Sequence, residues 1–458
     1  MTKTILIQPP MREDPDLITS RKGISSRVST RGCIKPLGIM SIATYLNSQN
    51  QQVELIDGEY TSPEQIKSRI SKERPQFVGM SPNLMTDFKV FDDLAHYSKE
   101  LGAKVVCGGA YATSEPERFL INPEIDYIVG GDGEEAMLRL VHNTSLDKIS
   151  GLIYNGGGGI VRNPQKLCNL DGLPFEDHSL LDFEPYWETF AREFNTPFRR
   201  PVSIAPYRGC MKASLEGRCT FCARQETSWR GRAPKEVWNH IDWLNESFGV
   251  DYILDVGDSL VGNKEWFKEF YEESQRHPRL GWRALVCSHE LDEEIVNNLS
   301  QMGAYEIFLG IESGNNNCLK LSRKSARTSD NINAVRLLGD KGIKVLLATV
   351  LGLRGETRES VRQTQEHIKQ LGKLAEVSEV YCSVNLVLPG SDDFRKMSRR
   401  HGMGELYNPE NPQELERSYS LDIPRLQKCW VEFLRQEYDS DLSYSFLKEQ
   451  EGKTRVRK

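Results

Sequence analysis

The first 145 residues of the chain alternate short apolar segments with stretches of helical periodicity. Several of the apolar segments are continuous runs, which are typical of parallel strands buried on both faces. The five predicted strands are residues 3–8, 53–57, 77–81, 104–108 and 126–130. Between the first two, Ile39, Ile42 and Leu46 follow the i, i+3, i+7 spacing of an amphipathic helix. The alternation predicts an α/β fold with an amino-terminal doubly wound, Rossmann-like parallel sheet.

The carboxyl ends of these predicted strands carry polar residues and glycines. In doubly wound sheets, ligands bind beyond the carboxyl ends of the strands, and glycines there allow a large flat ligand to approach the backbone closely. The end segments are Gln8-Pro9-Pro10, Ser81-Pro82-Asn83, Gly108-Gly109-Ala110-Tyr111 and Gly130-Gly131-Asp132-Gly133-Glu134. An ordinary nucleotide site is disfavoured, since no Gly-x-Gly-x-x-Gly follows the first strand. The pattern therefore predicts a different ligand along this edge of the sheet.

The alternation of predicted strands and helices is interrupted after residue 150. Two short apolar segments separated by four glycines, at 152–154 and 160–161, predict a hairpin, and proline-containing sequence follows it. A second βα series has predicted strands at residues 202–205, 252–256, 282–287, 306–311, 345–351 and 380–388. Six such units predict a partial (β/α)6 TIM-like barrel, with its chemistry at the carboxyl ends of the strands. The predicted division is a sheet domain over 1–150, a linker with the hairpin over 151–200, the barrel over 201–395 and a small C-terminal unit over 396–458, which includes a helix near 423–438.

Composition is that of an ordinary globular protein. The chain has 458 residues, of which 38% are hydrophobic and 27% charged. The formal net charge of −6 disfavours a nucleic-acid partner. No segment approaches the roughly 18 uninterrupted apolar residues of a membrane span, and the amino terminus lacks the pattern of a signal peptide. We therefore expect a cytoplasmic protein without a membrane partner, whose ten cysteines are thiols rather than disulfides.

Three of the ten cysteines lie within thirteen residues, just after the first strand of the barrel. Cys210 is followed by eight residues and then by Cys219 and Cys222, a Cys-x-x-Cys pair. Three thiolates on one loop can ligate three irons of a [4Fe–4S] cluster and leave the fourth iron open to another ligand. Zinc is the alternative, since a Cys-x-x-Cys pair also suits tetrahedral thiolate ligation. Neither His nor Cys lies between Cys222 and His240 to complete a local zinc site, so the iron–sulfur cluster is favoured.

With these cysteines, the sequence resembles the radical S-adenosylmethionine (SAM) superfamily, and specifically the subgroup that carries a cobalamin-binding domain. The resemblance covers roughly residues 1–395. It also rests on Pro36-Leu37-Gly38, Gly130-Gly131-Asp132-Gly133-Glu134, Leu173-Pro174-Phe175, Leu309-Gly310-Ile311-Glu312-Ser313-Gly314, Gly352-Leu353-Arg354-Gly355-Glu356-Thr357 and Leu388-Pro389-Gly390-Ser391. Two features depart from the common pattern: eight rather than three residues separate the first two cysteines, and Arg354 stands where relatives often have proline. The longer loop adds little closure entropy and does not forbid ligation.

The resemblance implies a set of residues for the cluster and for SAM. Cys210, Cys219 and Cys222 would hold a [4Fe–4S] cluster, and SAM would bind its open iron. The implied SAM-binding residues are Phe221, Asp255, Asp258, Glu312, Ser313 and Gly352. Phe221 and the turn at Gly352 would lie near the adenine, whereas Glu312 would bind the ribose or amino group. No catalytic acid or base is predicted.

Cobalamin is the second implied cofactor. Its docking surface would be the polar ends of the first sheet, and the implied residues are Ser81, Thr86, Gly108, Gly109, Gly131, Gly133 and Glu134. The segment between Ser81 and Thr86 would line the lower face of the corrin. Because no Asp-x-His-x-x-Gly motif follows the first strand, that motif cannot supply a lower-face histidine. Cys33 precedes the first helix and is expected to be a buried structural thiol.

The function implied by the resemblance is transfer of a methyl group from methylcobalamin to an unactivated carbon of a small molecule, by way of a 5′-deoxyadenosyl radical. An electron donor such as flavodoxin or ferredoxin would be the protein partner. Ring contraction, cyclisation and sulfur insertion are possible on the same scaffold and stay open as alternatives. A non-catalytic cobalamin or iron–sulfur sensor is a further alternative, which would bind these groups without consuming SAM.

Overall fold

The structure, a computed structural model, describes residues 3–11, 33–226, 228–401 and 423–453. Its amino-terminal strands are β1 (Lys3–Gln8), β2 (Gln52–Asp57), β3 (Phe77–Met80), β4 (Lys104–Gly108), β5 (Tyr127–Val129), β6 (Leu152–Asn155) and β7 (Ile160–Arg162). They form one sheet in the order β2-β1-β3-β4-β5-β6-β7. Strands β1 to β5 are parallel, and their order 2-1-3-4-5 is that of a doubly wound sheet. The predicted fold of this part is confirmed.

Helices cover both faces of this sheet. They are α1 (Leu37–Ser48), α2 (Pro63–Glu73), α3 (Phe88–Glu100), α4 (Gly109–Ser114), α5 (Pro116–Ile121) and α6 (Glu134–Val141). Successive residues of a strand point to opposite faces, so Ile5 and Ile7 of β1 pack into one core and Leu6 packs into the other. Because both faces are buried, the strands are continuous apolar runs.

The hairpin formed by β6 and β7 is part of the first sheet, not of the linker. Strand β6 pairs antiparallel with β5, and β7 pairs antiparallel with β6. Leu152 and Ile153 of β6 are buried in the two cores of the sheet. The linker therefore begins after Arg162 rather than at residue 151, and it contains α7 (Glu184–Glu193).

The second half of the chain contains the predicted partial barrel. Its strands are β8 (Pro201–Ile204), β11 (Tyr252–Asp255), β12 (Gly281–Val286), β13 (Ala304–Glu312), β14 (Lys344–Leu351) and β15 (Val377–Val384). They are parallel neighbours in chain order. A two-stranded ribbon, β9 (Tyr207–Arg208) with β10 (Arg230–Gly231), follows β8. The helices are α8 (Met211–Leu215), α9 (Pro234–Phe248), α10 (Lys264–Ser274), α11 (Glu293–Met302), α12 (Asn316–Leu321), α13 (Thr328–Asp340) and α14 (Arg358–Leu371).

The last helices close the open edge of the barrel. They are α15 (Asp392–His401), α16 (Ile423–Tyr438) and α17 (Tyr444–Lys453). Trp430 of α16 is fully buried in a core that it shares with Leu351 and Val384 of the barrel strands. The backbone of Val384, on edge strand β15, donates to Glu451 (3.1 Å) and accepts from the Gln427 amide (3.1 Å). The helix predicted near 423–438 is present, but it packs into the barrel instead of forming a separate unit.

Candidate functional site

The cysteine loop is closed at its base by the antiparallel β9–β10 ribbon, whose strands come before and after the three cysteines in the chain. At the base, Gly209 has φ +87°, and a Cβ there would lie 2.1 Å from the carbonyl oxygen of Ser228. Only glycine fits this close approach. The eight-residue spacer between the first two cysteines is partly ordered as helix α8, which places its extra length at the surface, where Leu215 is 75% exposed.

The three cysteines line one cavity at the carboxyl ends of the barrel strands. Its volume is about 140 Å³. The other lining residues are Lys212, Ala213, Arg218, Phe221, Arg224, Asp258, Cys287, His289, Lys324 and Ser325. None of the ten cysteines is part of a disulfide. Within the described ranges, no three His, Cys, Asp or Glu side chains converge on a point that could hold a single metal ion. Thiols arranged around a cavity, with cationic side chains in its wall, suit an anionic iron–sulfur cluster.

The Cys-x-x-Cys turn is fixed by Thr220, which is completely buried. Its N–H donates to the carbonyl of Ser322 (3.0 Å), and its hydroxyl donates to Asp393 (3.2 Å). Asp393 also pairs with Arg354 at 2.6 Å. The arginine that departs from the family pattern therefore joins the turn after β14 to the cysteine loop through Asp393.

Glu312 contacts the cavity through Lys324. It ends β13 with φ +56°, a strained conformation for a residue other than glycine, at a point where the pairing with β14 shifts register. Its carboxylate accepts a hydrogen bond from the Lys324 ammonium (2.9 Å), and both side chains are buried. Burial disfavours the charged ammonium, but Glu312 and the neighbouring thiols outweigh it and raise the pKa of Lys324 well above its usual value. A fixed positive charge thus lies beside the cysteines.

Asp255 and Asp258 follow each other after β11 but have different surroundings. Asp255 is buried and accepts hydrogen bonds from the Tyr207 hydroxyl (2.7 Å) and the Gly257 N–H (3.0 Å). Burial raises the pKa of Asp255 to about 7. Asp258 lines the cysteine cavity and pairs with Arg224 (2.9 Å). Of these two predicted SAM contacts, Asp258 is therefore the one that faces the cysteines, while Asp255 supports the ribbon.

Of the other predicted SAM residues, one also lines the cysteine cavity and two pack elsewhere. Phe221 lines the cavity. Ser313 is completely buried, and its hydroxyl is 3.2 Å from that of Thr364. The Gly352 carbonyl accepts from the Trp430 indole (2.6 Å), and its N–H donates to Glu356, whose pKa burial raises to about 8. These two residues are engaged in packing, and their roles toward SAM stay predictions.

Two adjoining cavities lie at the carboxyl edge of the first sheet, with volumes of about 270 and 320 Å³. They share Leu37, Gly38, Ile39 and Ser81. The predicted residues that line the first cavity are Ser81, Gly108, Gly109, Gly131, Gly133 and Glu134. Thr86 is instead buried, and its hydroxyl accepts from the Asn83 N–H (2.9 Å), so it shapes the loop rather than the cavity surface. The second cavity also contacts Val256 of the barrel, so this space lies between the two halves.

The residues of the first cavity fit a large ligand that presses against the backbone. Gly109 has φ +84°, and a Cβ there would lie 2.9 Å from the Ser81 hydroxyl oxygen. One carboxylate oxygen of Glu134 is buried and has no hydrogen-bond partner in the described chain. A backbone-lined surface with an available buried acceptor fits the amide-bearing rim of a corrin. The fit is thus one of residue chemistry: glycines at the strand ends and an available buried acceptor.

A buried ion-pair network joins this cavity to the cysteine loop. Arg208, two residues before Cys210, contacts Asp132 at 2.8 Å and Glu134 at 2.7 Å. Arg230, on the facing strand of the ribbon, contacts Asp132 at 2.7 Å. Burial disfavours the Asp132 carboxylate, but the two arginines and the Cys168 N–H, which donates to it (2.8 Å), outweigh burial and lower the pKa of Asp132. The ribbon that carries the cysteines is therefore fixed to the glycine-rich loop of the first sheet.

Three residues of this site were not predicted from the sequence: Arg208, Cys287 and Lys324. Arg208 adjoins the first cysteine of the motif, and its basic charge was a usable signal. Cys287 directly follows a barrel strand, which is where barrel chemistry is expected. Lys324 carries no local signal, because only the tertiary fold brings it to Glu312.

Two family models match the chain. The B12 binding domain model matches residues 26–141, and the radical SAM superfamily model matches residues 204–368. The chain belongs to the cobalamin-binding radical SAM enzymes. The first model spans strands β2 to β5 of the first sheet, and the second spans the cysteine loop and the barrel strands β11 to β14. The resemblance read from the motifs is confirmed, and with it the cofactor set of cobalamin, a [4Fe–4S] cluster and SAM.

Curated relatives of this radical SAM enzyme have different activities. An anaerobic magnesium-protoporphyrin IX monomethyl ester cyclase of Rubrivivax gelatinosus is 26% identical over 324 residues, which are 66% of this chain and 56% of the relative. A cytidylyl-2-hydroxyethylphosphonate methyltransferase of Streptomyces wedmorensis is 24% identical over 407 residues, 74% of each chain. The chain spans 51% to 68% of the length of the three cyclases that it matches.

Solved structures share the fold over most of this chain. The radical SAM methyltransferase TsrM of Kitasatospora setae, with cobalamin and a [4Fe–4S] cluster bound, has a TM-score of 0.70 at 18% identity, over 87% of this chain and 78% of that chain. OxsB, a cobalamin-dependent SAM radical enzyme with aqua-cobalamin bound, has a TM-score of 0.68 at 16% identity, over 91% of this chain and 64% of that chain. At these identities the likeness establishes the fold. None of the helices in the described part of the chain has the length and hydropathy that a bilayer crossing requires.

Proposed function

We propose that this enzyme methylates an unactivated carbon of a small molecule. The observation that carries the proposal is the buried Arg208–Asp132–Glu134 network, which fixes the cysteine cavity and the sheet-edge cavity in one arrangement. When bound, SAM and the cluster supply a 5′-deoxyadenosyl radical, and methylcobalamin supplies the methyl group. A substrate between the two cavities would be within reach of both reagents.

The barrel residues have separate tasks in this proposal. Cys210, Cys219 and Cys222 hold the cluster. Phe221 and Asp258, which line the same cavity, contact SAM, with Asp258 accepting from its amino group. Glu312 acts through Lys324, because its carboxylate fixes the ammonium in the cavity wall.

The first sheet holds cobalamin mainly through backbone. Gly108, Gly109, Gly131 and Gly133 allow the ring to lie close to the strand ends, and Ser81 faces the same space. Glu134 keeps one oxygen on Arg208 and offers the other, which is buried and unpartnered within the described residues, to an amide of the ligand. Val256 belongs to the neighbouring cavity and marks the side from which substrate approaches.

Methyl transfer is favoured by two relatives of which 74% and 69% are matched, against 51% to 68% for the three cyclases. The phosphonate methyltransferase aligns over 74% of each chain, and a hopanoid C-3 methylase of Methylococcus capsulatus aligns over 80% of this chain and 69% of its own. Cyclisation is the second candidate, because three cyclases match at 25% to 26% identity. A flavodoxin or ferredoxin in a reducing, cytoplasmic setting would supply the electron in either case.

Product analysis separates these candidates. The full chain is reconstituted anaerobically with iron, sulfide and cobalamin, and incubated with SAM, a reductant and candidate substrates. Methyl transfer predicts S-adenosylhomocysteine together with 5′-deoxyadenosine. Cyclisation or another rearrangement predicts 5′-deoxyadenosine without S-adenosylhomocysteine. A protein that binds cobalamin and a cluster but forms neither product would refute both and favour a sensor. Stoichiometric zinc in place of iron would refute the cluster assignment.

A further inference from the structure

A fourth thiol lines the cavity that contains the cluster cysteines. Cys287 directly follows β12 and comes from a different segment of the barrel. Cys287 lines the same cavity as Cys210, Cys219 and Lys324. Four thiols from two separate segments therefore surround one space of about 140 Å³.

Tertiary contacts hold Cys287 in the cavity wall. Its N–H donates to the Glu290 carboxylate (3.2 Å), which also accepts from the hydroxyl of Ser259. The next residue, Ser288, is buried and donates to Asn331 (2.6 Å). These hydrogen bonds fix the turn that carries Cys287, so its thiol is held in the cavity with the other three.

The proposed cluster has one more iron than the cysteine loop has thiols. Cys210, Cys219 and Cys222 satisfy three irons, and the fourth takes a ligand from outside the loop. Thiolate is a soft ligand with high affinity for iron, and Cys287 supplies one from the same cavity. When SAM is absent, the cavity itself therefore contains a ligand for this iron.

We propose that Cys287 ligates the fourth iron of the SAM-free enzyme and that SAM displaces it. The inference rests on the proposed cluster site. In the exchange, the iron–Sγ bond of Cys287 would break, and bonds from the amino nitrogen and a carboxylate oxygen of SAM would form. The SAM ammonium would give up one proton as its nitrogen binds iron, and the departing thiolate, which keeps its electron pair, would take up that proton beside Lys324. Neither the iron nor the sulfur would change oxidation state. Cys287 would thereby protect the open iron between turnovers.

Electron paramagnetic resonance of the reduced cluster tests this directly. The full chain is reconstituted anaerobically as the original sequence and as Cys287→Ala, His289→Ala and Cys429→Ala. His289 lines the same cavity, and Cys429 is a partly exposed cysteine on α16. We expect the SAM-free spectrum of Cys287→Ala alone to be shifted in its g values. We also expect its spectrum with SAM to match that of the original sequence, and its affinity for SAM to be higher.

An unchanged SAM-free spectrum in Cys287→Ala, or a shift in His289→Ala instead, would overturn the inference while leaving the cluster itself intact. Failure of the original chain to assemble a cluster would refute the proposed function and is thus distinguishable. If Cys287→Ala does not retain iron, Mössbauer spectra of the original chain decide. A fourth iron with thiolate parameters that change on adding SAM supports the inference, and one with nitrogen or oxygen parameters before SAM overturns it.

Discussion

The cysteine loop and the glycine-rich edge of the first sheet face related tasks but are built differently. In the proposed function, the cysteine loop binds the cluster through side chains, and its geometry is imposed by distant residues such as Asp393 and Ser322. The sheet edge is proposed to bind cobalamin through backbone, and its shape follows from where the parallel strands end. We therefore expect cofactor binding at the cysteine loop to be lost when a side chain is removed, and cofactor binding at the sheet edge to be weakened when a side chain is added. Arg208 joins the two sites, because it lies beside the cysteine loop and pairs with Asp132 and Glu134 at the sheet edge.

The largest expected effect is on the side-chain site. Cys219→Ala removes one of the three proposed cluster ligands, so we expect complete loss of bound iron after anaerobic reconstitution. Cobalamin binding should persist, because the sheet edge is a separate structure. Iron analysis and the visible spectrum of the cobalamin measure the two outcomes. Cys318→Ala, at a buried cysteine on α12, is the control and should retain iron. Parallel loss of both cofactors would contradict the distinction between the sites.

The second prediction concerns the contact between them. Arg208→Gln leaves the Asp132 and Glu134 carboxylates, 5% and 2% exposed, with less compensating charge. Breaking one side of a buried ion pair costs about 3–5 kcal/mol, so we expect that loss in the free energy of unfolding by urea. Lys264→Gln is the control, because its pair with Asp292 is exposed and should contribute under about 1 kcal/mol. Equal losses in the two variants would argue against a special role for the buried contact.

The third prediction concerns the turn after β14, where Glu356 is buried with a pKa near 8 against an ordinary 4.5. In the unfolded chain this carboxyl loses its proton first, so the free energy of unfolding should fall as pH rises from about 4.5 to about 8 and level off above. Glu356→Gln removes the ionisable carboxyl. The fall in the free energy of unfolding across this pH range should then be smaller by a few kcal/mol, on the order of 1.4 kcal/mol per pKa unit. Urea titrations across this pH range measure it. Glu359→Gln, at an exposed position of α14, should leave the profile as steep as before.

The smallest expected effect is at the glycine-rich edge of the first sheet, where cobalamin is proposed to lie against the backbone. Gly109→Ala adds a Cβ 2.9 Å from Ser81 at φ +84°, whereas Gly157→Ala adds one at φ +74° with no atom within 4 Å. Each variant should lose roughly 1–2 kcal/mol of stability from the left-handed backbone. Only Gly109→Ala should also weaken cobalamin binding, measured by titration of the apo protein. Equal cobalamin affinity in the two variants would show that the glycine edge is not a contact surface.

Most of the fold was predictable from local pattern. Parallel strands buried on both faces are continuous apolar runs, so all eleven predicted parallel strands are present with small shifts in their ends. The edge hairpin was assigned to the linker because antiparallel addition to β5 depends on Leu152 and Ile153 reaching the two cores, which no local pattern reveals. The C-terminal helix was likewise recognisable in sequence, but its packing on β15 was not.

The candidate site was predictable where chemistry lies in a motif. The three cysteines, Phe221 and Asp258 were named from sequence and line one cavity. Lys324 was not, because its role depends on the strained end of β13, which turns Glu312 toward it. Cys287 was not singled out, since it lies 65 positions after Cys222 and only the barrel fold brings the two to one cavity. Motifs therefore could not identify side chains that reach the site from other segments of the barrel.

The capping of β15 has a consequence for the order in which the chain is made. The backbone groups of Val384 are satisfied by Gln427 and Glu451, which are synthesised 43 and 67 residues later. At about 5–20 residues per second, the edge of the nascent barrel remains bare for several seconds after its last strand has left the ribosome. An uncovered edge strand is a template for pairing with another chain. The growing polypeptide is therefore most prone to aggregate in this interval, and holdase chaperones would act there.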